Sequence, residues 1–431
     1  MMLRRYILVS LLIIAPLMQA VTVDAYEIDT TRVRRQLKHK RSLGQKVLRL
    51  PQTIIKLPLH TVEGVVGLVV NDVILTKPVA RFRSLFAKVD RVWGFYPVVG
   101  YGSNSGFKGG FAFTSKEVFT KGERLKIKAT YSTNDYQRYT LIYSAPNKFG
   151  AFKRPYFAAG YRNRPWESFY GLGNDARETD EVTFGLEKSY VGIGWHHLLQ
   201  PQIRLNIDGA FHAQNIYDGE DPNLEGDIDS IGSNLGLAAE DLAAVRLMAF
   251  GASLSHDWRD SEGQPSRGGY EEIGVTYHHG VGRSDDLGYT VTRLNLRHYL
   301  NIFKKRILAL RLLVESIDPV GDSPNVPFYL RRYLGGEDDL RGYRRRRFVD
   351  NDLALVSVEY RWPVWLTLDA FMFLDEARVA ESITDDFDMS GWRYSAGGGL
   401  RVWNDNGLIL STQVAFSDEG MRFYLQLSER L

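Results

Sequence analysis

From about Gly94 to the C-terminus, apolar and polar residues alternate with a period of two in segments bounded by turn residues, and no helical periodicity competes with that pattern. Successive side chains of a strand point to opposite faces, so such text demands strands with one apolar and one polar side. In Glu123 to Tyr131, Leu125, Ile127, Ala129 and Tyr131 share one face and Arg124, Lys126, Lys128 and Thr130 the other. Leu308, Leu310, Leu312 and Val314 are set against Arg311 and Glu315, and Leu408, Leu410, Thr412, Val414 and Phe416 against Ser411 and Gln413. Repeated over most of the chain, this predicts an all-β protein: a transmembrane antiparallel β-barrel with lipid outside and a polar interior.

About sixteen segments are counted, an even number as in bacterial single-chain barrels. Their cores run over 94–102, 106–115, 122–133, 136–146, 152–162, 182–198, 202–217, 244–257, 269–280, 286–299, 305–316, 352–361, 364–375, 391–402, 407–417 and 420–430. Long connections follow the fifth, seventh, eleventh and thirteenth segments: Asn163 to Glu181, Asp218 to Ala243, Ile317 to Asn351 and Glu376 to Ser390. Tight ones, Gln200-Pro201-Gln202, Trp362-Pro363 and Asn404-Asp405-Asn406-Gly407, lie between them. Long extracellular loops and short periplasmic turns produce that parity, and it places both barrel ends in the periplasm. The 23 Tyr, 22 Phe and 8 Trp suit aromatic girdles at two interfaces. A soluble sandwich or propeller would also alternate, but no repeat of the propeller's period is visible and neither fold needs so many wholly apolar faces.

The N-terminus follows a secretory plan. Arg4 and Arg5 precede an apolar stretch from Ile7 to Leu17, with small-residue exits at Met18-Gln19-Ala20 or Val23-Asp24-Ala25. The expected organisation is a signal peptide over 1–25, a short helical, basic periplasmic extension over 26–93, and the barrel over 94–431. In the extension Arg32, Arg34, Arg35, Lys38, Lys40 and Arg41 crowd around Val33 and Leu37, as on an amphipathic helix. It reads first as a solvated or loosely docked extension, and second as an element that meets an anionic lipid surface or a periplasmic partner.

Chemistry-bearing patterns are few. The chain has no cysteine, which removes disulfides, thiol nucleophiles and thiolate metal sites. His196-His197 and His278-His279 are adjacent pairs whose members point to opposite faces of a strand, so neither forms a two-ligand clamp. No Gly-x-Ser-x-Gly elbow, His-Glu-x-x-His helix, phosphate loop or nucleic-acid motif occurs. The expectation is a protein that is no enzyme, needs no cofactor or metal and binds no nucleic acid.

Three motifs remain. Gly335-Gly336-Glu337-Asp338-Asp339-Leu340-Arg341-Gly342-Tyr343 brackets an arginine with glycines, a loop tip that needs tight backbone turns and offers a planar guanidinium fork. Asp257-Trp258-Arg259-Asp260 is followed by Pro265 and Gly268. At the end, Gly420 precedes Phe423, Leu425 and Leu427 on one strand face. Together these resemble the outer-membrane insertase and translocase superfamily of BamA, TamA and the two-partner secretion transporters. In that family an extracellular loop with five strands still to follow folds into the barrel and presents an Arg-Gly-aromatic tip, here Arg341-Gly342-Tyr343. A second family motif, aromatic-x-Asp-x-Gly, looks like Phe373-Leu374-Asp375-Glu376-Ala377, with Ala377 in place of the glycine.

The resemblance implies that Arg341 pairs with Asp375 inside the lumen. Strand parity permits it by sending Phe371, Phe373 and Asp375 inward and Ala370, Met372 and Leu374 outward, and Glu359 is a second candidate partner by the same count. The Asp257 turn would be periplasmic, the Gly420 to Leu425 stretch an assembly signal, and Gly397-Gly398-Gly399 would ease packing beside the folded-in loop. By resemblance the protein sits in the bacterial outer membrane, contacts its lipids, and assists insertion or translocation of client proteins or lipids. No βααββ pattern fits the extension, so a member without POTRA domains is expected. A passive diffusion channel and a structural or adhesive barrel are the alternatives.

Overall fold

The computed structural model describes residues 93–427 apart from 103–104, 146–152, 220–234, 236, 238, 322, 324, 366, 384–390 and 405–406. The expected signal peptide, the basic extension with Arg32, Arg34, Arg35, Lys38, Lys40 and Arg41, and the terminal Leu431 lie outside the described residues.

Sixteen strands form one antiparallel sheet in the order of a barrel. They are β1 (Trp93–Gly102), β2 (Gly106–Glu117), β3 (Lys121–Ser132), β4 (Gln137–Ser144), β5 (Lys153–Phe169), β6 (Val182–Gln200), β7 (Ile203–Asp218), β8 (Val245–Asp257), β9 (Gly268–Gly280), β10 (Gly288–Phe303) and β11 (Arg306–Pro319). After a long connection follow β14 (Asp352–Pro363), β15 (Leu368–Ala380), β16 (Arg393–Asn404), β17 (Gly407–Ser417) and β18 (Gly420–Leu427). That connection carries its own small ribbon, β12 (Arg332–Leu334) paired with β13 (Phe348–Asp350). Each barrel strand pairs with its neighbour in sequence, and β11 reaches across the connection to β14 with Leu313 opposite Leu355. β1 pairs with β2 along its whole length, but among the described residues it meets β18 at one register pair, Tyr101 opposite Leu427.

The alternation read from the sequence becomes two physically different surfaces. On β15, Met372 and Leu374 are 45% and 51% exposed, whereas Phe371, Phe373 and Asp375 are buried. Ile193, Phe250, Ile273, Phe416 and Phe423 are likewise exposed outward, an uncovered apolar surface far larger than water tolerates on a folded monomer. Ala370 departs from its expected exposure and is buried, because its short side chain lies in register between the larger Trp362 and Leu400.

Two connections are shorter than the sequence reading gave. β5 continues through Asn163 to Phe169 against β6, with a register shift between Arg164 and Glu167, so only 170–181 is loop. β15 likewise runs on to Ala380. On β15 the alternation continues with its polarity reversed, Glu376 exposed and Ala377 and Val379 buried, and on β5 the register shift changes its phase, so in neither case does the apolar-outward pattern mark the extra residues.

Candidate functional site

The connection between β11 and β14 folds back into the barrel interior, and its glycines make the fold possible. Gly335 and Gly336 have φ of +108° and +106°, a region closed to most side chains. A Cβ on Gly335 would stand 2.0 Å from the Arg344 carbonyl oxygen, so the two arms of the tip touch there, and the Gly336 N–H donates to the Tyr343 carbonyl at 3.1 Å. The tip from Gly335 to Arg344 is a closed loop that presents Arg341 at its end.

Arg341 makes a fork onto Asp375. Its Nε donates to Oδ2 and its Nη2 to Oδ1, both at 2.7 Å, while its Nη1 donates to Glu359 Oε2 at 3.0 Å. The backbone N–H of Arg341 also reaches Asp375 Oδ2 at 3.4 Å, and the Ser357 hydroxyl donates to Asp375 Oδ1 at 2.6 Å. The guanidinium carbon lies over Phe373, 3.4 Å from the ring centroid. Asp375 is fully buried, Arg341 7% exposed and Glu359 7% exposed. Burial works against the Arg341 charge, but the bonds to Asp375 and the field of Asp375 and Glu359 outweigh it and raise its pKa. A paired, bidentate guanidinium of this kind is the geometry in which a buried charge is tolerated.

Glu359 is shared more widely than the sequence reading foresaw. Arg361 Nε donates to its Oε1 at 2.5 Å, and Arg401 donates through Nη1 to Oε1 at 2.5 Å and through Nη2 to Oε2 at 3.0 Å. Two carboxylates therefore hold three guanidiniums across β14, β15, β16 and the loop tip. Arg361 is an even step from Glu359 on β14, but only the strand register reveals that it and Arg401 converge on Glu359.

The rest of the tip is fastened to the last strands. Ser417 Oγ donates to the Gly342 carbonyl at 2.9 Å, the Tyr343 hydroxyl to Asp418 Oδ1 at 2.5 Å, and the Tyr424 hydroxyl to the Tyr343 carbonyl at 3.1 Å. Burial first, and then the bond to Asp418, push the Tyr343 hydroxyl's pKa up. Tyr343 packs with Leu334, Leu340, Phe348, Leu313, Leu355 and Ala377 in a buried cluster. The glycines of β16 have a different role from the one expected. A Cβ on Gly397 would stand 2.6 Å from Phe373 Cζ, and one on Gly399 2.8 Å from Phe371 Cζ. These positions admit the two aromatic rings that floor the arginine cluster, and the close approach to the loop itself falls to Gly342.

Beyond the tip, Arg344, Arg345 and Arg347 tie the loop to outlying parts of the fold. Arg344 bonds both Glu181 oxygens at 2.8 and 2.6 Å, Arg345 Nε donates to Glu167 at 3.1 Å, and Arg347 Nε to Glu419 at 2.6 Å. Arg346 is 2% exposed, lies near the Tyr333 and Phe184 rings, and donates to the Phe328 carbonyl at 3.4 Å.

The Asp257 turn lies at the opposite end of the barrel, in the connection 258–267. Arg259 forks onto Asp257 at 2.8 and 2.7 Å and sits over Tyr270, while Asp260 accepts from the Ser266 and Arg267 backbone N–H groups at 2.8 and 3.2 Å. Gly268 has φ of +95°, and a Cβ there would meet the Trp258 carbonyl at 2.3 Å. Pro265 lines the interior cavity of about 440 Å³ into which Arg341 and Glu359 also face. Gly420, φ +106°, closes the hairpin opposite Ser417, and Phe423 is 56% exposed on the outer face with Leu425 on the same parity. His196 and His278 point inward, onto Tyr156 and Tyr289, and His197 and His279 pack beside Trp195 and Tyr277.

A family model described as the Omp85 superfamily domain matches residues 118–430. Among solved structures the chain is similar to BamA from Haemophilus ducreyi lacking POTRA domains 1-3, with a TM-score of 0.59 and 15% identity over 78% of this chain and 70% of that one. It is also similar to CdiB from Escherichia coli, with a TM-score of 0.51 and 11% identity over 79% of this chain and 63% of that one. The chain thus spans under two thirds of the CdiB chain. At these identities the likeness is one of fold. No curated protein sequence matches the chain.

Proposed function

The chain belongs to the Omp85 superfamily, and on that premise we propose that it is a bacterial outer-membrane β-barrel that assists the insertion of client proteins into that membrane or their translocation across it. The observation that carries the proposal is the Arg341 tip, folded inside and held by Asp375 and Glu359. A tip held in this way occupies part of the interior that a diffusion channel keeps open. Among the described residues β1 and β18 meet at one register pair, Tyr101 and Leu427, and that meeting is taken as the seam.

In this reading the exposed apolar belt around Ile193, Phe250, Ile273 and Phe416 faces lipid. The Arg341 loop braces β14 to β18 from within while clients or lipids engage the β1–β18 seam. Depletion of the protein followed by a census of outer-membrane proteins and lipids tests this. Loss of a defined client set is the expected result, and an unchanged census overturns it. Planar-bilayer conductance separates the channel alternative: a mostly closed barrel is expected, and a large, steady conductance would replace the proposal with a diffusion pore.

A further inference from the structure

Directly behind the seam lies a cavity of about 170 Å³ that the loop lock does not use. It is bounded by Gly102 at the end of β1 and Tyr424 on β18, with Glu337 of the loop tip on one side. Into it face Lys108 of β2, Arg138 of β4 and Arg162 and Arg164 of β5, joined by Arg345 from the loop. Register explains the convergence. Lys108 sits opposite Ser132, Thr130 opposite Arg138, and Arg138 opposite Arg162, so these inward positions stand side by side across β2 to β5.

The charges there do not balance. Glu167 is taken up by Arg164 at 2.8 Å and Arg345 at 3.1 Å. Lys108, Arg138 and Arg162 carry no ion pair among the described residues, and the carboxylate left to face them is Glu337, whose Oε2 is buried with no hydrogen-bond partner among the described residues. The hydroxyls of Ser105, Thr130 and Ser132 complete the lining with neutral donors. At Glu359, by contrast, each of the three guanidiniums donates to a carboxylate.

We propose that this cavity is a binding site for a phosphate monoester or diphosphate group. Three cations arriving from three strands, with hydroxyl donors between them, need an acceptor with oxygens in several directions. A tetrahedral phosphate provides that, and a planar carboxylate with two oxygens does not. The group belongs either to the headgroup of a phosphorylated lipid reaching in at the β1–β18 seam or to a soluble phosphate ester. The lipid source rests on the membrane placement proposed above; the anion site itself does not.

The test uses the full chain in an uncharged detergent, titrated with inorganic pyrophosphate by calorimetry. Saturable binding is expected, weakened about tenfold by each of Lys108→Gln, Arg138→Gln and Arg162→Gln, as for loss of one charge-assisted hydrogen bond. Lys126→Gln, also inward on β3 but outside the cavity, leaves binding unchanged. Glu337→Gln removes the competing carboxylate and tightens binding, a gain that no misfolded variant mimics. Heat-modifiable migration confirms that each variant is folded. In a second arm the protein is extracted from phosphatidylcholine bilayers made with and without phosphatidic acid and weighed by native mass spectrometry. Retained phosphatidic acid that is lost in Arg162→Gln assigns a lipid headgroup; pyrophosphate binding without retained lipid assigns a soluble ester. Absence of both, binding indifferent to all three substitutions, weaker binding by Glu337→Gln, or preference for a poly-glutamate peptide over pyrophosphate would each overturn the site.

Discussion

Ser417 Oγ donates to the Gly342 carbonyl at 2.9 Å, and a Cβ placed on Gly342 would stand 2.6 Å from the Cβ of Ser417. Ser395 Cβ and the Phe416 carbonyl oxygen crowd the same point at 2.7 and 3.1 Å. All three atoms belong to, or are fixed directly upon, the backbone of β16 and β17, so none can swing aside as a long side chain would.

Gly342→Ala therefore pushes the loop tip off the wall. The expected cost is that of overpacking, about 1–3 kcal/mol, seen as a lower temperature for the loss of heat-modifiable migration and as faster proteolysis between Gly335 and Arg347. Wild-type behaviour on both measures would mean that the tip is free to reposition, contrary to its hydrogen bonds.

Arg341→Ala and Asp375→Ala each strip one side of a buried pair, and each should destabilise the barrel by about 3–5 kcal/mol. Because the two share one interaction, the double variant should cost less than the sum of the singles, by a coupling of about 0.5–3 kcal/mol. Arg341→Lys keeps the charge but not the fork, and should recover only part of the loss. Denaturant midpoints of the four variants and the wild type decide the matter, and strict additivity would separate the two residues.

The Arg341 to Asp375 contact was implied by the resemblance of the two motifs, and strand parity, which is written residue by residue, permitted it by setting Asp375 an even step from Phe373 and Phe371. The sixteen strands were legible from that parity, since lipid and polar interior impose opposite demands on alternate positions. What parity does not encode is register, the alignment of one strand against the next. Hence Arg361 stood an even step from Glu359, but neither it nor Arg401 could be read as its partner, and Glu359 and Asp375 stood as alternatives when the loop arginine binds both. The β12–β13 ribbon was missed because three-residue strands inside a folded-back loop are too short to show a period.

Ala377 stands where the family motif carries glycine, and the structure gives the alanine its own task. It is fully buried among Leu340, Tyr343, Phe348 and Leu355. Restoring the motif by Ala377→Gly should therefore weaken the fold, by about 1–2 kcal/mol from the lost methyl and the added freedom of glycine in a strand. Increased stability in that variant would show that the methyl is strained, not packed.

At the opposite end of the barrel, Asp260 should make the turn pH-sensitive. Burial opposes its ionisation, but the bonds from Ser266 and Arg267 prevail and hold its carboxyl below the usual range. With the folded value depressed, the stabilisation is fully present above the unfolded-state value of about 4 and is lost as pH falls through the lower folded value. Hydrogen exchange at the Ser266 and Arg267 amides should consequently be protected at neutral pH and deprotected in acid, after correction for intrinsic rates. In Asp260→Asn the protection should be weak throughout. Equal protection at both pH values in the wild type would remove Asp260 as the cause.

Glu359 carries the sharpest prediction, because it serves three guanidiniums at once. Glu359→Gln leaves Arg341, Arg361 and Arg401 with Asp375 as the one carboxylate of the cluster, and the uncompensated charge is buried beneath the loop. The expected loss is about 3–5 kcal/mol, comparable to that of Asp375→Ala although the fork on Asp375 survives. If surplus charge is the cause, removing a guanidinium should repair part of the damage. Arg401 is the one to remove, since it holds Glu359 by two bonds, stacks 3.9 Å over Phe371, and makes no bond to Asp375. Glu359→Gln combined with Arg401→Gln should then be more stable than Glu359→Gln alone, which two independent losses cannot produce. A double variant less stable than the single would show that the arginines act by packing and hydrogen bonding, with charge balance playing no part.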